Sequence, residues 1–142
     1  MFKKILGIIV LVGLVLFGLI QLVPYGRAHT NPPVVQEPDW DSSQTRALAQ
    51  RACFNCHSNE TVWPWYSHIA PASWLVQRHV DEGRESMNFS AWGDYSVRTE
   101  KVIRQIEEGK MPPRSYLPLH PEARLSPAEQ AALIEGLRRS LD

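Results

Sequence analysis

The sequence predicts an all-α protein, one apolar N-terminal helix followed by a small helical domain. Three observations predict it. Ile5 to Val23 is apolar or Gly apart from Gln21. From Asp41 onward, apolar residues recur at helical spacing and no stretch alternates as a half-buried strand does. Helix-start and helix-stop residues bracket those periodic stretches. The 142 residues hold one compact domain and little else.

The nineteen positions from Ile5 to Val23 span roughly 28 Å as a helix, close to the ~30 Å hydrocarbon core of a bilayer. One membrane crossing over residues 1–23 is the natural reading. Lys3 and Lys4 stay on the cytoplasmic side and send the rest of the chain across. A cleaved signal peptide is the rival, with Gly26 and Ala28 as a small-x-small pattern, although the apolar run exceeds an ordinary signal core. Gly7, Gly13 and Gly18 lack the four-residue separation of a helix dimer motif, so no oligomeric state follows from them.

Residues 24–40 hold four prolines among polar residues and read as a spacer. The folded part is expected over residues 41–142. Asp41 or Ser42 caps a first helix through Arg51, with Leu48, Ala49, Ala52, Cys53 and Cys56 on its apolar side. A second helix follows Pro71, with Ala72, Leu75, Val76, His79 and Val80 on one face and Gly83 near its end. A third opens at Ser96, gathers Val102, Ile103 and Ile106, and stops at Gly109. The last begins at Ser126-Pro127-Ala128-Glu129, a capping hydroxyl, a first-turn proline and an acid that completes a capping box, and carries Leu133, Ile134, Leu137 and Leu141.

Fifteen Lys and Arg balance fifteen Asp and Glu, which points away from nucleic acid and from an acidic buffer. Beyond the two leading lysines, thirteen basic residues face fifteen acidic ones, a net of two negative charges.

Cys53-Phe54-Asn55-Cys56-His57 is the attachment pattern of a c-type haem. Two thiols about one helical turn apart reach two vinyl groups of a porphyrin, and His57 is then held beneath the iron. A thioredoxin-like dithiol needs a strand before the motif, a zinc site needs a second pair of ligands, and a disulfide over so short a loop would be strained. The expected cofactor is one covalent haem c per chain. Four short helices with long Pro-rich loops leave a thin core that a large flat cofactor would fill.

For the sixth iron ligand, Met111 in Gly109-Lys110-Met111-Pro112-Pro113 sits just past a helix stop, where two prolines stiffen the loop and can present the thioether. The plainer reading is a core gap filled by Met. His79 is the runner-up. Met87, His68 and His120 are available, and His29 lies in the spacer.

With these residues in place, Asp41 to Asp142 resembles a small class I cytochrome c: helix, Cys-x-x-Cys-His, a Met-Pro-Pro loop and a closing helix. More narrowly, Cys56-His57-Ser58-Asn59-Glu60, Trp63-Pro64-Trp65-Tyr66-Ser67, Ile69-Ala70-Pro71 and Ser73-Trp74-Leu75 resemble the haem-binding domain family of bacterial membrane-anchored or exported proteins. The Trp-rich insert departs from an ordinary cytochrome c. Its aromatic rings either wall the haem crevice, with indole N–H groups meeting propionates, or form a compact loop packed on the second helix. Arg78, Arg98 and Arg114 are candidates for pairing a propionate.

The expectation is a membrane-anchored monohaem electron carrier rather than an enzyme. It would face the periplasm from a bacterial inner membrane and exchange electrons with redox partner proteins. The alternative is a haem sensor or peroxidase-like module with an open or displaceable distal ligand, and an accessory subunit of a larger haem enzyme is a third reading.

Overall fold

The computed structural model describes residues 1–94 and 98–141. Among them it is all-helical: α1 (Phe2–Ile20), α2 (Ser43–Ala52), α3 (Phe54–His57), α4 (Ala72–Ser86), α5 (Thr99–Glu107) and α6 (Pro127–Leu141), joined by three short 3-10 turns. Extended pairing among the described residues is limited to one bridge between Gln36 and Ala91. The expected opening of α5 at Ser96 lies outside the described residues.

Local chemistry explains the helix ends. Ser42 caps α2, its Oγ accepting the Thr45 N–H at 3.1 Å. At α6 the capping box closes in both directions. Ser126 Oγ accepts the Glu129 N–H at 3.3 Å, and Glu129 Oε2 accepts the Ser126 N–H at 2.8 Å. Those bonds, the Ser126 backbone first and then Arg51, hold the Glu129 carboxyl down at about 2. α1 is 19 residues long with no buried residue, long and apolar enough to cross a membrane, a test that a signal sequence also passes.

The chain forms two compact units. The first comprises Met1–Thr30 and Trp63–His79, the second Asn31–Val62 and the chain from Val80 onward. The second has a core of Leu48, Ala49, Phe54, Met87, Phe89, Ile106, Leu133 and Leu137, with Cys53 packed against it. Phe54 and Phe89 stack at 5.5 Å, and Trp40 lies 5.3 Å from Phe89. α6 packs on both α2 and α5. Where α2 and α6 meet, a Cβ on Gly136 would collide with the Thr45 side chain, so glycine sets how closely these helices approach.

Residues 31–40 are bonded into the second unit. Arg46 grips Glu37 with two bonds of 2.7 and 2.6 Å, and the Trp40 indole donates to the same carboxylate at 2.6 Å. Val35 and Gln36 both donate to the Ser90 carbonyl.

The face of α4 differs from its periodic reading. Ser73, Val80, Gly83 and, just past the helix, Met87 are buried, whereas Leu75 is 56 % exposed. Periodicity assigns an apolar face but not the side on which neighbours lie.

Candidate haem site

α2 ends at Ala52, and the chain turns through Cys53 into the single turn of α3, which carries Cys56 and His57. The turn is short because Ser58 is extended and its hydroxyl donates back to the Phe54 carbonyl at 2.8 Å. Cys53 and Cys56 are free thiols. Burial pushes Cys53 up to about 12 and raises Cys56 as well, so both sulfurs are protonated at neutral pH.

His57 is oriented by the end of α4. Its Nδ1 lies 3.0 Å from the Gly83 carbonyl oxygen and 3.2 Å from that of Met87. Both partners are acceptors, so Nδ1 carries the proton and Nε2 carries the lone pair. Nε2 has no hydrogen-bond partner among the described residues. Burial lowers the pKa of the ring and keeps it neutral, the form that ligates a metal. α4 reaches this position because residue 83 is glycine, where a Cβ would collide with the Cys56 carbonyl.

The segment after the motif is held by polar side chains. Arg84 donates from Nε to the Ser58 carbonyl at 2.8 Å and from Nη2 to Thr61 Oγ1 at 3.0 Å, and Thr61 Oγ1 donates to the Asn55 carbonyl at 2.9 Å. Ser90 Oγ accepts the Asn59 N–H, and Asn88 Nδ2 donates to Asn59 Oδ1, each at 2.9 Å. Asn55, between the two cysteines, accepts the Val62 N–H and donates to Tyr116 Oη at 2.7 Å. Tyr116 stacks on the buried His120 ring at 3.9 Å, and His120 lies 3.1 Å from Glu122.

Cys53, Cys56 and His57 thus stand together, with Cys53 packed against the core. Met111 lies in the turn after α5, its N–H donating to the Gln105 carbonyl at 3.0 Å and its side chain 39 % exposed. Tyr116, five residues further on, ties the same loop to Asn55. Met87 is in the core, its carbonyl bonded to His57. His79 is half-buried on α4, while Arg98 and Arg114 are exposed. In the first unit, His68 is exposed and His29 stacks on Trp63. The indole N–H groups of Trp63 and Trp74 and the Ser73 hydroxyl in that unit are buried without a hydrogen-bond partner among the described residues.

Sequence reasoning missed Arg84, Asn88, Ser90 and the Asn55–Tyr116 pair. No motif marks them. The one available signal was polar density around the motif and around Phe89.

The donor set fits a haem: two thiols with the spacing for two vinyl groups and an imidazole whose Nε2 is unengaged while Nδ1 is tied to backbone. No group of three or more His, Cys, Asp or Glu side chains is placed to hold a bare metal ion among the described residues. Among curated proteins and solved structures, none matches the chain. The family of the haem-binding domain matches residues 15–139, which include the motif, the Trp-rich segment, α4, α5 and nearly all of α6. The chain belongs to the haem-binding domain family.

Proposed function

We propose that this protein is a membrane-anchored, monohaem c-type electron carrier. Residues 1–23 anchor it, and residues 24–40 lead into the haem-binding part at 41–142. Lys3 and Lys4 stay on the cytoplasmic side of a bacterial inner membrane, and the haem-binding part faces the periplasm. The observation that carries the haem reading is His57 with Nδ1 on two backbone carbonyls and Nε2 unengaged, one residue after Cys56.

Cys53 and Cys56 would hold the haem through thioether bonds to its two vinyl groups, each thiol hydrogen going to the vinyl group's terminal carbon, with no oxidant or reductant needed. His57 Nε2 would ligate the iron, and the Gly83 and Met87 carbonyls fix its ring orientation and basicity. Met111 would supply the sixth ligand, from a loop that Asn55 and Tyr116 hold to the motif. The bound iron supplies one-electron redox chemistry, and His/Met ligation raises its potential.

The 39 % exposure of Met111 favours a second reading, a displaceable distal ligand and hence a small-molecule sensor or peroxidase-like module. Expression with haem-maturation machinery separates the two. An electron carrier gives a low-spin, six-coordinate ferric spectrum with the sulfur-to-iron charge-transfer band, and Met111→Ala abolishes that band. Rapid carbon monoxide binding by the reduced wild type selects the sensor. A His79→Ala variant that loses six-coordination while Met111→Ala keeps it reassigns the ligand. Haem absent from the chain after denaturing electrophoresis, in the wild type as in the Cys53→Ala/Cys56→Ala variant, removes covalent attachment.

A further inference from the structure

The exit from α1 is fastened to the Trp-rich segment within the first unit. Gln21, the residue after α1, donates from Nε2 to the Ala70 carbonyl at 3.0 Å and accepts the Ala70 N–H on Oε1 at 2.9 Å. One side-chain amide thus closes both backbone groups of Ala70, as a neighbouring strand would. Gly26 then runs against the Ser73 backbone. Its φ is +80°, and a Cβ there would stand 2.5 Å from the Ser73 carbonyl oxygen, so residue 26 must be glycine. His29 Nε2 donates to the Ser67 carbonyl at 3.0 Å, and its ring stacks on Trp63 at 4.6 Å.

These bonds fix where the Trp-rich segment lies relative to the end of α1. Trp65 is five residues from Ala70 and begins a 3-10 turn, so at ~2 Å per 3-10 residue and ~3.5 Å per extended residue it lies within roughly 12 Å of it. The headgroup layer on one side of a bilayer is itself about 5–8 Å thick.

Several large apolar side chains of this unit are turned outward, although Trp63 and Trp74 are half-buried. Leu22 is 77 % exposed, Trp65 76 % and Leu75 56 %, and Val23, Tyr25 and Ile69 are exposed as well. The same unit buries Ser67, Ala70 and Ser73. Apolar residues exposed singly are ordinary, but a set of them on the unit that continues an exposed apolar helix matches a non-aqueous surrounding. Trp and Tyr are the residues that settle at membrane–water interfaces.

We propose that Trp65, Ile69 and Leu75, with Leu22, Val23 and Tyr25, sit in the headgroup and acyl boundary of the bilayer that α1 crosses. The Trp-Pro-Trp-Tyr segment is then a second membrane contact, pinned to the first by Gln21. The inference rests on the reading of α1 as a membrane span.

The test places the photo-crosslinker p-benzoylphenylalanine in the full-length, haem-loaded protein in bacterial membranes, with lipid adducts read by mass spectrometry. It is introduced at Trp65, at Leu14 within α1 and at the exposed Glu135 on α6. Phospholipid adducts are expected at positions 14 and 65 and not at 135. An adduct at 14 without one at 65 overturns the proposal and leaves the span standing, as does a cross-link from 65 to a protein. No adduct at 14 removes the span and this inference with it, while the haem reading survives. In the position-65 protein, Gln21→Ala is expected to lower the lipid adduct several-fold with haem content unchanged. An undiminished adduct there overturns the role of Gln21 as the pin.

Discussion

The two units treat their apolar residues in opposite ways. The second buries Phe54, Phe89, Leu133 and Leu137 almost completely and surrounds the haem motif with hydrogen-bonded Ser, Asn, Thr and Arg side chains. The first buries two serines and an alanine and leaves Trp65, Leu75 and Leu22 outside. A water-facing domain gains stability by hiding apolar area at ~25 cal/mol per Å², whereas residues exposed in the other sense gain nothing until a lipid phase covers them. One family domain therefore carries two surface chemistries.

Four changes break or sharpen this contrast, from the largest effect down. Phe54→Ala removes the buried ring that stacks on Phe89 and packs near Trp40 and is expected to cost about 3–5 kcal/mol of unfolding free energy, read by denaturant titration. A loss below 1 kcal/mol would place the core elsewhere. Gly83→Ala introduces the Cβ that collides with the Cys56 carbonyl and is expected to cost about 1–3 kcal/mol. It should also lower haem incorporation, measured as the ratio of Soret to protein absorbance.

Acid is expected to act on the second unit. Glu129 is held at about 2 against an ordinary 4.5, and Arg46 holds Glu37 below its usual range. A folded-state pKa below the unfolded one adds stability above the unfolded value and loses it as pH falls through the folded one. The melting temperature should therefore drop from about pH 4.5 toward 2, and Glu129→Gln should flatten that slope. A variant as steep as the wild type would assign the acid limb to other groups. The smallest change in stability, within about 0.5 kcal/mol, is expected for Trp65→Ser because the side chain is 76 % exposed. In the proposed interface the same substitution weakens retention of the Trp-rich segment at the membrane, which carbonate-resistant protease protection of that segment would report.

Much of the site was legible because its members are chain neighbours. The Cys-x-x-Cys-His spacing, the Ser42 cap and the Ser126–Glu129 box each span about one helical turn, and such interactions form wherever the local backbone turns. The face of α4 was not legible. Leu75 and Val76 satisfy the helical period as well as Val80 does, and only the neighbours in the fold decide which of them meets a core. Nor was the bonding of residues 31–40, since proline-rich composition reports a lack of helix and says nothing of what the carbonyls and side chains between the prolines touch.

By itself the sequence determined an all-helical chain, the two thiols and the imidazole set one turn apart, and an apolar segment as long as a bilayer is thick, but not the break at Cys53 that sets α3 apart from α2. Tertiary structure decided what holds them. The Gly83 and Met87 carbonyls that orient His57 lie 26 and 30 residues away, and Tyr116 lies 61 from Asn55. A backbone carbonyl is the same group at every position, so no residue type announces that it will accept a histidine proton, and only the path of the folded chain selects it.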